Sequence, residues 1–236
     1  MTKNLDNEGF RTLLDHYDLF FIDLWGVIHN GIQLYKEAVN VLAKLSEAKK
    51  DYILLTNAPR PKKNVEGFLE KMGLDKNKRE KVFTSGEAAL NFLKDKYLKK
   101  NFYHIGPPRD FNLFNDFKKN KTKNISTSDY FLCTGLYDDH YKDLNYYKDL
   151  LLNYVSKKMI CTNPDLIVDR GSNREYCAGS VAMIFEKLGG KVIYFGKPYP
   201  EVYNQSTQTT HKKIIAIGDN LRTDIKGANN MEYDSL

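Results

Sequence analysis

The chain has 236 residues, 36 Lys and Arg against 30 Asp and Glu for a formal charge of +6, and a 42% apolar share. That length accommodates one large or two small domains with ample surface to bury a core, which excludes a peptide scaffold. No apolar run nears the ~18 residues of a membrane helix, and the positive balance is spread over lysines with only 7 Arg, a solvated surface and not a nucleic-acid footprint.

The start, MTKNLDNEGF, lacks the basic region and apolar stretch of a secretory signal, so a cytoplasmic protein is expected. Cys133, Cys161 and Cys177 are odd in number and show no CxxC spacing, which reads as reduced thiols used in packing.

Short apolar runs alternate with helix-like stretches, the pattern of a parallel α/β sheet. Leu19 to Ile22 is apolar throughout, as a strand buried on both faces should be. Val39, Leu42, Ala43 and Leu45 follow at helical spacing, and Tyr52 to Leu55 predicts the second strand. Val65, Phe68, Leu69 and Met72 then form a helical face that Gly73 is placed to end. After Val82 and Phe83, Ser85 is positioned to cap a further helix.

From here the pattern loses regularity. Phe102 to Ile105, Tyr130 to Cys133 and Met159 to Cys161 are strand candidates, with helices around Leu144 to Val155 and Val181 to Leu188. Residues 86–188 are therefore read as an inserted second α/β domain between a first part at 1–85 and a second at 189–236. The last part contains a strand at Val192 to Phe195, a helix from about Pro200 and a strand at Ile214 to Ile217.

In an open parallel sheet, ligands sit beyond the carboxyl ends of the strands. Asp23 follows one apolar run, Thr56 and Asn57 another, Lys197 a third, and Asp219 a fourth, with Asp224 five positions later. If those strands are neighbours, three carboxylates, one ammonium and one hydroxyl meet at one edge. Carboxylates so close stay ionised only beside positive charge, and hard oxygen ligands of this kind suit Mg²⁺. Thr56, the backbone N–H of Asn57 and Lys197 fit a phosphate, so the set suggests phosphoryl transfer to Asp23. Any one of these residues alone is commonly a cap or turn residue; their joint order carries the reading.

DLWGV at 23–27, LLTNAPR at 54–60, GKPYPEVY at 196–203 and GDNLRTDIKGA at 218–228 resemble the four motifs of the haloacid dehalogenase-like (HAD) superfamily. The resemblance is to subclass IIA, the NagD-like and nitrophenylphosphatase group, and TNPD at 162–165 with Ala178 to Ser180 looks like its C2-type cap. It implies a doubly wound, Rossmann-like core with an inserted smaller α/β cap. By the same resemblance Asp23 is the nucleophile, Thr56 and the Asn57 amide bind the phosphoryl group, and Lys197 offsets charge. Asp23, the Trp25 carbonyl, Asp219 and Asp224 surround Mg²⁺. The implied substrate is a small phosphorylated metabolite, without nucleic acid or membrane, and homodimerisation through the cap is an expectation.

One position departs from the family. Its members usually carry a second Asp two residues after the nucleophile, for protonating the leaving group and activating water; here it is Trp25, and indole does neither. Positioned acid–base catalysis is worth ~10²–10⁴ in rate, so turnover of alkyl phosphates is expected to be weakened. His29 is the nearest substitute, or else a structural loop residue, and Trp25 is a candidate to stack on an aromatic substrate or to wedge the loop. In the cap, Asn163, Asp165, Asp169, Arg170, Arg174 and Tyr176 are the polar candidates, with Asn163 and Arg174 read as substrate-binding. A protein that binds a phosphorylated ligand in a regulatory role is the alternative that Trp25 favours. A phospho-accepting receiver domain is disfavoured by the 141-residue separation of Thr56 from Lys197 and by the late GDxxxxD at 218–224. Family members continue past the last motif into another strand, which EYDSL at 232–236 approaches, so truncation there is a further expectation.

Overall fold

The computed structural model describes residues 9–170, 173–207 and 213–236, with Arg170 described by its backbone alone. Residues 1–8, within the stretch read for a secretory signal, and the Arg170 side chain lie outside the described residues.

The first apolar run forms β1 (Leu19–Ile22), followed by α1 (Lys36–Glu47), β2 (Asp51–Thr56), α2 (Lys62–Lys71), the single turn α3 (Lys76–Arg79), β3 (Val82–Thr84) and α4 (Ser85–Lys96). A second unit follows with β4 (Phe102–Ile105), β5 (Lys121–Thr122), β6 (Tyr130–Cys133), α5 (Leu144–Leu151) and β7 (Lys158–Cys161). It continues through β8 (Ile167–Arg170), β9 (Asn173–Tyr176), α6 (Ala178–Lys187) and β10 (Lys191–Tyr194). The chain closes with α7 (Pro200–Ser206), β11 (Ile214–Ile217), α8 (Lys226–Asn230) and β12 (Asp234–Ser235).

Two five-stranded sheets result, ordered β12-β11-β1-β2-β3 and β10-β7-β6-β4-β5, each parallel throughout. The fold is α/β, a Rossmann-like core with an inserted α/β cap. In the core, β1 is central: Ile22 stands in register with Leu54 of β2 and with Ile217 of β11. The residues after those three strand ends therefore meet at one edge, as the strand-end argument requires.

Alternation along β1 divides the core in two. Phe20 and Ile22 join a cluster with Leu42, Leu45, Val65 and Leu69 from α1 and α2. Leu19 and Phe21 face the other way, into a cluster with Ala88, Leu93, Val202 and Tyr203 that continues into Phe102, Tyr130, Leu132 and Ile160 of the cap sheet. Core and cap thus share one apolar cluster. The reverse face of the cap sheet packs Phe131, Cys133, Met159 and Cys161 against Tyr147 and Phe185. The three cysteines are buried free thiols, and among the described residues no helix is long and apolar enough to cross a membrane.

Three local expectations are corrected. Val192 to Phe195 was read as the return to the core, but β10 pairs with β7 (Ile193 with Ile160), so the boundary at 189 cuts through the cap sheet. Apolar sequence identifies a buried strand without saying which sheet it enters. At the other boundary, α4 packs on β3 and α7 of the core and on the 3₁₀ segment Pro108–Asn120 of the cap, so it belongs to both. Its N-cap is Thr84, whose hydroxyl accepts from Glu87 N at 2.9 Å. Ser85 lies one residue too late to cap and instead donates to Thr162 O at 2.6 Å, joining core to cap.

Candidate functional site

Asp23 leaves the central strand with its N–H donated to Ile217 O at 2.9 Å, which fixes the direction of its side chain's exit beside β11. Lys197 comes from the loop after β10, and its Nζ lies 2.6 Å from Asp23 Oδ1 and 2.6 Å from Asp224 Oδ1. All three side chains are buried. Burial opposes charge on Lys197, but Asp224 and Asp23 outweigh it and raise its pKa. Burial likewise pushes the Asp23 carboxyl up, assisted by Asp224 and opposed by Lys197, to about 7.

Asp224 sits in a π-helical turn, Leu221–Ile225, capped by Asn220, whose side chain accepts from Arg222 N at 2.9 Å. Asp219 is exposed at the mouth of the same loop, and burial with Asp224 nearby raises its pKa. Oxygens of Asp23, Asp219 and Asp224 fall within 4.8 Å of one another. Two glycines make this possible. A Cβ on Gly26 would lie 2.1 Å from Asp219 Oδ2 and one on Gly218 2.0 Å from Asp224 Cγ, so any larger residue would displace the carboxylates.

With all three carboxylates ionised, the Lys197 ammonium leaves a formal charge of −2, and all the donors are hard oxygens. The set fits a divalent cation.

Thr56 is buried at the end of β2, its Oγ1 3.3 Å from Ala58 N. Asn57 does more than the expected backbone contact. Its Oδ1 accepts from Lys197 N at 2.7 Å, and its Nδ2 donates to Lys197 O at 3.0 Å and to Asp165 Oδ1 at 2.9 Å. One amide thus holds the Lys197 loop and the cap together.

Asp23, Thr56, Asn57, Lys197 and Asp219 line a cleft of about 650 Å³ between core and cap. Trp25 borders it, and its Nε1 donates to Asp169 O on the cap at 3.0 Å. The indole ring meets His29 edge-on at a centroid distance of 5.4 Å. His29 Nδ1 accepts from Gly31 N at 3.0 Å, its ring also meets Phe68, and burial holds its pKa down to about 4. That is the structural loop residue, poorly suited to acid–base work.

Of the cap candidates, Asn163, Asp165, Asp169 and Tyr176 line the cleft. Asn163 Oδ1 accepts from Asp165 N at 2.9 Å. Arg174 does not reach the cleft lining; it is exposed and forks onto Asp169 through Nε at 2.8 Å and Nη2 at 3.1 Å. The strand β9 that carries it pairs antiparallel with β8, a polar hairpin without an apolar alternation to announce it. The cleft's arginines are Arg60 and Arg109, which sequence reasoning passed over; they pair with Asp110 at 3.2 Å and Asp138 at 2.6 Å. Arg60 stood in the LLTNAPR motif and was therefore findable, whereas nothing local marks Arg109.

Fold and strand-end residues together define a capped Rossmann-like hydrolase. Residues 20–118 match the haloacid dehalogenase-like hydrolase family model, and 194–236 match the HAD-hydrolase-like model. The chain is 31% identical to a haloacid dehalogenase-like hydrolase of known structure from Brucella suis, covering 96% of this chain and 86% of that one with a TM-score of 0.88. A dihydroxyacetone phosphatase from Corynebacterium glutamicum is 25% identical over 88% of this chain and 75% of its own length. The 4-nitrophenylphosphatase of Thermotoga maritima shares the fold, with a TM-score of 0.76 at 24% identity over 94% and 86% of the two chains. The chain belongs to the haloacid dehalogenase-like hydrolases.

Proposed function

We propose that this chain is a Mg²⁺-dependent phosphatase of a small phosphorylated metabolite, working through an aspartyl-phosphate on Asp23. The observation that carries the reading is the contact of Lys197 Nζ with both Asp23 and Asp224 at 2.6 Å, inside a cluster of three carboxylates.

An Asp23 oxygen attacks phosphorus and the ester P–O bond breaks; water then attacks the aspartyl-phosphate and frees Asp23. Lys197 offsets charge on the nucleophile and on the phosphoryl oxygens, and the Thr56 hydroxyl donates to one of those oxygens. Asp23, Asp219, Asp224 and the Trp25 carbonyl would hold Mg²⁺, which when bound withdraws charge from the phosphoryl group. The cleft of about 650 Å³ has room for a small phosphorylated metabolite, and the name of the Corynebacterium relative points the same way.

Trp25, in the position of the family's acid–base Asp, supports a second reading, a protein that binds a phosphorylated ligand without rapid turnover. Phosphate release from p-nitrophenyl phosphate and from alkyl phosphates, with Mg²⁺ and with chelator, separates the two. Mg²⁺-dependent release abolished in Asp23→Asn is the expected result. No release from either ester by the native protein would leave only the binding role.

A further inference from the structure

Turnover on Asp23 needs a group to give a proton to the departing oxygen and to take one from the attacking water. The residue two positions after Asp23 is Trp25, whose N–H is engaged by Asp169 O. His29 is held neutral, with Nδ1 occupied by Gly31 N. Among the carboxylates lining the cleft, Asp23 and Asp219 belong to the cation cluster. Asp110, Asp138 and Asp169 are each paired with an arginine, and Glu175 lines the cleft from β9 of the cap hairpin, not from the loop that meets Asn57.

Asp165 is placed differently. It enters the cleft from the cap loop after β7, and Oδ1 accepts from Asn57 Nδ2 at 2.9 Å, one amide away from Lys197 O. Its backbone is fixed on both sides: its N–H donates to Asn163 Oδ1 at 2.9 Å and its carbonyl accepts from Gly179 N at 3.1 Å. A carboxyl on a fixed backbone, bonded to a neutral amide beside the phosphoryl-binding strand end, is preorganised for proton transfer. Burial also raises its pKa, against the Asn57 hydrogen bond and Lys197 and with Asp224 and Asp219, which favours the protonated form it would need as an acid.

We propose that Asp165, supplied by the cap, is the acid–base group of this phosphatase, replacing the carboxylate that Trp25 displaces from the core. The inference rests on the phosphatase reading above. In the first step the Asp165 carboxyl gives its proton to the leaving oxygen as the ester P–O bond breaks and the Asp23–phosphorus bond forms. In the second, the Asp165 carboxylate takes a proton from water as that water bonds to phosphorus and the Asp23–phosphorus bond breaks, releasing phosphate and restoring the acid. The acid–base group then arrives only with the cap, so chemistry is coupled to cap closure.

The test is the dependence of kcat/KM on leaving-group pKa over a series of aryl and alkyl phosphates. In the native enzyme that dependence is shallow. Asp165→Asn retains the oxygen that accepts from Asn57 and removes the acid, so it should steepen the dependence and lower alkyl ester turnover about 10²–10⁴-fold. With p-nitrophenyl phosphate it should show a stoichiometric burst of nitrophenolate, because dephosphorylation of Asp23 has lost its base; the burst also counts correctly folded sites. A uniform loss on all esters, or no loss, would overturn the proposal and leave Asp165 a cap tether. So would a steep dependence in the native enzyme, which requires no variant to fold, or a steepening caused by Glu175→Gln and not by Asp165→Asn. Absence of turnover in the native protein would instead count against the phosphatase reading itself.

Discussion

The indole N–H of Trp25 donates to the main-chain carbonyl of Asp169 at 3.0 Å, tying the loop after the central strand to the cap hairpin 144 residues away. The bond is solvent-accessible, so its net worth is about 0.5–1.5 kcal/mol. Trp25→Phe keeps an aromatic ring against His29 and removes the donor. It should raise KM about 2–10-fold by loosening the closed cap, with kcat changing less. An unchanged KM would show that the contact has no part in closure.

Lys197 is the only ammonium in contact with Asp23 and Asp224 among the described residues. Replacing it with Met leaves two buried carboxylates uncompensated, which costs about 3–5 kcal/mol in chelator. Added Mg²⁺ should restore part of that stability, because it supplies the missing positive charge. Urea unfolding of native protein and Lys197→Met, with and without Mg²⁺, checks this; equal stability in chelator would contradict the charge argument.

Asn57 makes hydrogen bonds to Lys197 N, Lys197 O and Asp165 Oδ1. At about 1 kcal/mol each, Asn57→Ala should lose about 2–4 kcal/mol of stability and lower kcat/KM through a misplaced Lys197. Asn57→Asp keeps one acceptor but sets a carboxylate beside Asp165, and should be worse than Ala near neutral pH. A ranking with Asp better than Ala would mean that the bond to Asp165 matters little.

Burial lowers the pKa of His29 to about 4 and that of His104 to about 3, with Lys121 adding to the effect on His104. Both folded values lie below the unfolded value near 6.5. Above that pH neither ring affects stability through protonation. As pH falls below it, the unfolded chain binds protons that the native state refuses, so each ring subtracts up to about 1.4 kcal/mol per pH unit until its folded pKa is reached. Histidine ring NMR signals should show both rings neutral at pH 5.5, and His104→Gln should flatten the acid limb of stability. A midpoint near 6.5 for either ring would contradict its burial.

How much of this was legible varies residue by residue. Asp23, Thr56 and Asp219 could be read because a parallel sheet delivers the residue after each apolar strand to one edge, and strand order then makes them neighbours; Lys197 was read by the same rule but arrives differently, on the loop that follows a strand of the cap sheet. Asp165 and Asn57 were visible as residues but not as a pair, since 108 positions separate them and no periodicity links a cap loop to a core strand. Arg174 was assigned to substrate because cap loops of the resembled family close over the site and its charge suits an acidic substrate, and the structure pairs it with Asp169 away from the cleft lining.

The sequence by itself determined the alternating α/β order, the apolar β1 strand and the chemical types at the strand ends, because these depend on periodicity and local composition. Only the tertiary structure decided that β10 joins the cap sheet, that Trp25 and Ser85 fasten core to cap, and that Asp165 meets Asn57. Those outcomes depend on which distant surfaces pack together, and a strand's own residues carry the tendency to be buried without naming the partner that buries it.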